Sequence, residues 1–321
     1  MGHTMSHSLE CVLITAALVL PCNPTSKGSP GRTEYHPPGY VPDISNPAAQ
    51  DPRVNTHQRY MNRRVLITGG GSGIGQATVL RVLDEGGRVV AADISESGLK
   101  DTLAKADAYA DQLTTLVVDV GAERSVRDGV ARATATLGGL DTLVNAAGIL
   151  RSGHLLETTV ADFEQVIRIN LVGTFLTIRE AIPALRRGVG PAVVNFSSTS
   201  AAFAHPYMSA YAASKGGIQA MTHALAMEFS KEGIRFNCVQ PGSISSGMTD
   251  GTGESKQSVG PGLPADTDFS LFGKVQPVLA QPGGAIFAKP DAVAAVVAML
   301  GCPDAYFITG TEVRVDGGSH M

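Results

Sequence analysis

A short apolar stretch, Val65-Leu66-Ile67, runs through Thr68-Gly69-Gly70-Gly71-Ser72-Gly73-Ile74-Gly75 into a helical pattern of Ala77, Val79, Leu80, Val82 and Leu83. A strand passed through a glycine turn into a helix is the opening unit of a parallel α/β sheet. The glycines let the backbone approach a pyrophosphate, whose charge is met by the free N–H groups of the helix N-terminus. The spacing is Gly-x-x-x-Gly-x-Gly, not the commoner Gly-x-Gly-x-x-Gly. Apolar runs at 65–67, 89–92, 115–119, 141–146, 192–196, 235–239 and 312–315 then alternate with helical patterns. Such alternation predicts an α/β fold: one doubly wound parallel sheet with helices on both faces, a single domain over 61–321. No internal repeat and no second compact block stands beside it.

The second strand, Arg88-Val89-Val90-Ala91-Ala92-Asp93, ends in an acid 18 residues after Gly75. That is near the place where a carboxylate takes the adenosine ribose hydroxyls of a dinucleotide. A carboxylate there repels a 2′-phosphate, and no Arg or Lys follows at once to accept one, which favours NAD over NADP. Asp93 can equally cap a helix over Ser95–Asp107, and the two roles are compatible.

Tyr211 and Lys215 are four residues apart, which puts them one turn apart on one helix face. An ammonium beside a phenol favours the phenolate, so the pair predicts a tyrosine made more acidic and able to exchange a proton with a reacting oxygen. Ser198 stands 13 residues before Tyr211, with Ser197 and Ser200 as rival hydroxyls.

These segments together resemble the short-chain dehydrogenase/reductase family, in its short, single-domain branch, and the resemblance covers about residues 61–321. Thr68–Gly75 resembles the family's TGxxxGxG cofactor turn, in which Gly69, Ser72, Gly73, Ile74 and Gly75 would touch the dinucleotide. Asp119-Val120 resembles its adenine-contacting pair, Asn145-Ala146-Ala147-Gly148 its NAAG segment, and Tyr211-x-x-x-Lys215 its YxxxK. Asn170, in RINLVGTF, matches its active-site asparagine. Pro241-Gly242, followed by Ile244 and Ser246 (or Ser245), matches the segment beside the nicotinamide. Phe307-Ile308-Thr309-Gly310 and Val315-Asp316-Gly317-Gly318 match its C-terminal end.

The resemblance implies a Rossmann fold and an NAD-dependent interconversion of a secondary alcohol and a ketone. Ser198 would bond the substrate oxygen and Tyr211 would transfer its proton. Lys215 would hold the nicotinamide ribose and lower the tyrosine's pKa. Asn170 would kink its helix and fix a water. Asn145 also has a structural reading, bonding across neighbouring strands.

Net charge of −4 and pI near 6.1 leave no basic footprint for nucleic acid, and tryptophan is absent. No Cys/His spacing suggests a metal. Cys238 and Cys302 sit in apolar settings typical of reduced thiols, and His154 and His205 are the histidines placed to face substrate. Residues 1–60 hold 8 of the 18 prolines and read as a disordered, dispensable extension, with Met61 as a natural start. The apolar stretch 11–20 is too short to span a bilayer and lacks a basic n-region, so the expected location is cytoplasmic.

A substrate lid is expected over about 243–290. Leu263, Phe269, Leu271, Phe272, Val275 and Val278 face the substrate from it, and Phe203, His205 and Tyr207 from the opposite wall. That composition suggests an apolar body such as a 3-oxoacyl or steroid-like compound. Small residues at Ala212, Ala213, Gly216, Gly217 and Ala220 agree with the tetramer the resemblance implies. Two other classes are weighed. A non-catalytic dinucleotide-sensing protein would not need Ser198, Tyr211 and Lys215. An epimerase or dehydratase of the longer branch would carry a differently spaced turn and a larger C-terminal domain.

Overall fold

The computed structural model describes residues 58–250, 262–273, 276–279 and 287–321. Seven strands form: β1 (Arg64–Thr68), β2 (Arg88–Asp93), β3 (Leu113–Val117), β4 (Thr142–Asn145), β5 (Ala192–Phe196), β6 (Arg235–Pro241) and β7 (Glu312–Val315). They lie in the order β3-β2-β1-β4-β5-β6-β7, and every neighbouring pair is parallel. Parallel neighbours need crossovers. Helices supply most of them: α1 (Gly73–Asp84), α2 (Glu96–Lys105), α3 (Glu123–Leu137), α4 (Val160–Ile167), α5 (Gly173–Leu185), α6 (Ser209–Glu228), the single turn α7 (Gly247–Asp250) and α8 (Pro290–Gly301). This is the doubly wound Rossmann architecture. Its winding reverses between β1 and β4, so a crevice opens beyond the carboxyl ends of those strands.

The period-two alternation of each strand divides the core between the two faces. Val65, Ile67, Val89, Ala91 and Val144 pack with Val79 and Val82 of α1 and Val293 and Val297 of α8. Leu66, Val90, Ala92 and Leu143 pack on the other side with Val126 and Val130 of α3 and Leu176 and Ile182 of α5. In α3 the buried residues Val126, Gly129, Val130, Ala133 and Leu137 recur at helical spacing, and Gly138 in the left-handed region (φ 72°) ends the helix.

Three expectations are corrected. The third strand lies at 113–117, not 115–119: its ladder pairs Leu113 with Val89 and Val117 with Asp93, which leaves Val118-Asp119-Val120 beyond the strand end. The second helix begins at Glu96, and its cap is Ser95, whose hydroxyl accepts from Gly98 N at 3.0 Å; Asp93 does not cap it. The folded unit starts before Met61. Tyr60 is fully buried and its hydroxyl donates to Ala298 O at 2.9 Å, while Arg59 is paired with Glu85. The small residues of α6 are partly used within the chain, since a Cβ on Gly217 would meet Leu171 at 2.7 Å.

The proline-rich segment, as far as residue 57, lies outside the described residues, as does Val275. Of the expected lid, the described parts contain the single turn α7, a 3-10 turn at Phe269–Phe272 and a bridge between Ile244 and Ala288.

Candidate active site

The glycine turn is built so that side chains cannot enter it. A Cβ on Gly75 would sit 2.0 Å from Gly69 O, and one on Gly69 would sit 2.6 Å from Ala147 N. Gly69 and Gly73 hold φ of 71° and 53°, where glycine is at home. Ser72 precedes α1 without capping it through its side chain, and the first turn carries no acid. The helix therefore presents its N-terminal N–H groups and its dipole with no carboxylate of its own in competition. This is a cradle for an anionic group close to backbone, and it fits a dinucleotide pyrophosphate.

Asp93 stands at the end of β2 and pins this turn. Its Oδ2 accepts from Gly71 N and its Oδ1 from Ser95 N, both at 2.9 Å. Asp119 shapes the next loop by accepting from Gly121 N at 2.8 Å. Lys105, on the same side of the cleft, is engaged by Asp101 at 2.7 Å and Gln76 at 2.8 Å.

β5 and α6 bring the second group of residues together. Ser198 follows β5 and is buried; its Oγ accepts from Ser200 N at 3.2 Å, and its hydroxyl acts on the Tyr211 phenol in the direction that lowers the phenol's pKa. Lys215, 4% exposed, donates from Nζ to Phe196 O at 2.7 Å, and Nζ lies 5.5 Å from the centre of the Tyr211 ring. The expected acidification of Tyr211 is not what this arrangement produces. Burial pushes the phenol up to about 12 against the lowering effect of Ser198, and burial brings Lys215 down to about 8. Both groups lose water, and for each desolvation outweighs the opposing effect of its neighbour, Ser198 for Tyr211 and Cys238 for Lys215. Of the rival hydroxyls, Ser197 donates to Lys215 O at 3.0 Å, and Ser200 Oγ is buried without a partner.

Asn170 lies in a π-helical turn, Arg168–Val172, between α4 and α5. Its amide accepts from Ile149 N at 2.8 Å and donates to Ile149 O at 2.9 Å and Ser214 Oγ at 3.0 Å. It thus holds the segment after β4 as a neighbouring strand would. Gly148 lies against both residues, since a Cβ there would meet Asn170 Oδ1 at 3.1 Å and Lys215 Nζ at 3.6 Å.

One cleft of about 1190 Å³ joins these groups. Gly69, Ser72, Gly73, Ile74, Gly75, Asp93, Asp119, Val120, Ala146, Ala147, Gly148, Ser198, Tyr211, Lys215, Pro241, Gly242, Ile244 and Ser246 all line it. Asn145 and Asn170 are absent from its lining. Asn145 is buried and donates to Asn195 Oδ1 at 2.9 Å, the bond across neighbouring strands β4 and β5 that its structural reading predicts. Leu263 and Phe272 line the cleft, whereas Phe269, Leu271 and Val278 are exposed.

On the opposite wall only His205 of the three expected residues reaches the cleft; Phe203 stacks on His320, and Tyr207 on Phe272. His154 bonds Asp266 at 2.8 Å. Val118, Thr199, Met208 and Gln276 also line the cleft, and no local sequence motif marks them. Among the described residues no cluster of His, Cys, Asp and Glu is placed to hold a metal, and no helix is long and apolar enough to cross a membrane. Cys238 and Cys302 are buried free thiols.

Comparison with known proteins agrees with this geometry. The family model for short chain dehydrogenase matches residues 63–257. The chain is 32% identical over 253 residues to 3-oxoacyl-acyl-carrier-protein reductase of Thermotoga maritima, covering 79% of this chain and 96% of that protein. It is 34% identical over 264 residues to levodione reductase of Leifsonia aquatica, covering 81% and 95%. A crystal structure of a short chain dehydrogenase from Burkholderia cenocepacia, in complex with NADP, superposes with TM-score 0.70 at 30% identity, over 82% of this chain and 100% of that one.

Proposed function

The chain belongs to the short-chain dehydrogenase/reductase family, oxidoreductases that act on CH–OH groups with NAD(P), and on that premise we propose that it interconverts a secondary alcohol and a ketone with NAD(H) as coenzyme. The observation that carries this reading is that Ser198, Tyr211 and Lys215 line one wall of the same cleft that contains the glycine turn.

Gly69, Ser72, Gly73, Ile74 and Gly75 would hold the pyrophosphate, Asp93 the adenosine ribose, and Asp119, Val120, Ala146, Ala147 and Gly148 the adenosine and its approach. Pro241, Gly242, Ile244 and Ser246 would border the nicotinamide. The bound coenzyme supplies the hydride acceptor for alcohol oxidation and the hydride donor for ketone reduction. Ser198 orients the substrate oxygen by a hydrogen bond and stabilises charge developing on it. Tyr211, protonated at neutral pH, gives its hydroxyl proton to that oxygen as the ketone is reduced, and takes it back from the alcohol in the reverse direction. Lys215, titrating at about 8, can exchange a proton near neutral pH and would hold the nicotinamide ribose. Asn170 positions the loop that carries Gly148 and Ile149.

Two features favour NAD over NADP: the carboxylate of Asp93 would face a 2′-phosphate, and Lys105 is already engaged by Asp101. The substrate body is expected to be apolar, in keeping with Leu263 and Phe272 on the cleft wall and with the 3-oxoacyl reductase relative. Exposed apolar side chains on α4 and α5, Val160, Phe163 and Phe175, support a homotetramer, which light scattering would test. Dependence on a dinucleotide pool supports a cytoplasmic location, and the proline-rich segment is read as an extension outside the enzyme domain.

The direct test is Tyr211→Phe. Turnover of alcohols or ketones should fall by about 10²-fold or more, while NADH still binds, as followed by its fluorescence. Full turnover by the variant would sink the proposal.

A further inference from the structure

His205 is the one imidazole that lines the cleft among the described residues, and the proton transfer just described does not use it. Its Nε2 lies 3.2 Å from Thr199 Oγ1, and that hydroxyl donates to Pro241 O at 3.4 Å. A threonine hydroxyl has one proton. In the arrangement where that proton goes to Pro241 O, Thr199 receives from the imidazole, Nε2 carries the hydrogen and Nδ1 is left as a lone-pair acceptor. Nδ1 makes no hydrogen bond with any described residue, and it is not among the buried unpartnered atoms. Burial and the neighbouring His320 hold the pKa of His205 down at about 4, so the ring stays neutral and Nδ1 stays an acceptor at physiological pH.

The ring is also held firmly. It stacks on His320 at 5.4 Å, and His320 stacks in turn on Phe203 at 4.3 Å. Asp316 Oδ2 lies 3.1 Å from His320 Nδ1, and Arg314 donates to His320 O at 2.7 Å. The C-terminal residues therefore form a fixed backing for a cleft-lining acceptor. That acceptor is tied to Thr199, the neighbour in sequence of Ser198, and a fixed acceptor discriminates because its geometry is set before the substrate arrives.

We infer that His205 is a specificity-determining residue, whose Nδ1 accepts a hydrogen bond from a second hydroxyl near the reacting oxygen, so that the preferred substrates are hydroxyketones and the matching diols. This deepens the ketone–alcohol reading and rests on it. A donor-bearing substrate satisfies Nδ1, whereas a plain ketone leaves the acceptor bare and a methyl ether offers it no proton.

The test compares kcat/KM for 2- and 3-hydroxycyclohexanone with that for cyclohexanone and 2-methoxycyclohexanone, in the full chain and in His205→Leu and His205→Gln. The unsubstituted protein should favour at least one hydroxyketone over both comparison ketones by about tenfold. His205→Leu should bring that ratio to about one, and His205→Gln, whose amide oxygen can accept, should restore part of it. NADH affinity should match across all three proteins. Absence of preference in the unsubstituted protein, or a preference that survives His205→Leu, overturns the inference. Failure of the parent reading has a different signature, namely turnover retained by Tyr211→Phe.

Discussion

Lys215 is a cation placed where a cation is disfavoured. It is 4% exposed, and burial takes its pKa from 10.5 to about 8. An unfolded chain would bind a proton there between pH 8 and 10.5 that the folded chain does not. Unfolding thus takes up a proton in that window, and stability rises with pH across it. Tyr211 acts in the opposite sense higher up: the folded phenol keeps its proton to about 12 while an unfolded one loses it near 10, so stability falls between those values. Lys215 by itself therefore lifts the denaturant midpoint from pH 8 toward 10, an increment read as the difference from Lys215→Met, because the buried thiols of Cys238 and Cys302, held up at about 12 and 11, lower stability above pH 9 in both proteins. Lys215→Met should remove that increment and stabilise the protein at pH 7 by about 1–2 kcal/mol, after the lost bond to Phe196 O is counted, while ending turnover. Parallel pH profiles for the two proteins would refute this account of Lys215.

At the scale of elements, the turn between β1 and α1 and the π-turn between α4 and α5 are positioned by different means, and they should fail differently. Gly75→Ala drives a Cβ into Gly69 O, which is backbone and cannot step aside. It should cost about 2–4 kcal/mol and abolish NADH binding. Gly138→Ala, at φ 72° with open space around it, should cost only about 1 kcal/mol and leave NADH binding intact. Calorimetric titration with NADH on both variants separates the two cases. Asn170→Leu leaves Ile149 N, Ile149 O and Ser214 without their amide partner and should destabilise by about 3–5 kcal/mol, read from chemical denaturation.

The seven strand runs and the glycine turn are legible in the sequence because they depend on residues next to one another. The cross-strand role of Asn145 is legible too, and its amide bonds Asn195, but the bonds of Asn170 are not, since its partners Ile149 and Ser214 lie 21 and 44 residues away. The shift of β3 follows from the same limit: its register is set by β2, and the Thr-rich start of the strand looks weaker locally than the Val-Val that follows it. The acidity of Tyr211 is not legible in the sequence for a related reason. Spacing places an amine near a phenol, but only the packed structure shows how much water each has lost.

Over the whole molecule, the C-terminus of α8 ties the segment before β1 to the cleft. Tyr60 donates to Ala298 O at 2.9 Å, Thr142 to Gly301 O at 2.9 Å, Arg235 to Leu300 O at 2.8 Å and to Cys302 O at 3.0 Å, and Arg63 reaches Gly301 O at 3.4 Å. The last carbonyls of a helix want donors and positive charge, and these side chains provide both. The concentration of charge is costly to Arg235, which burial and the nearby Arg63 bring down to about 10. α8 packs along α1, and Pro290 and Asp291 at its other end line the cleft. An error at Tyr60 should therefore be felt at the coenzyme site. Tyr60→Ala removes a fully buried ring from beside Gly301 and should cost about 3–5 kcal/mol, with NADH affinity weakened several-fold as α8 loosens. Tyr60→Phe loses only the bond to Ala298 O, should cost about 1 kcal/mol, and should bind NADH normally. Full stability in Tyr60→Ala would restore Met61 as the natural edge of the domain, and equal losses of affinity in both variants would show that the hydroxyl rather than the ring holds α8 in place.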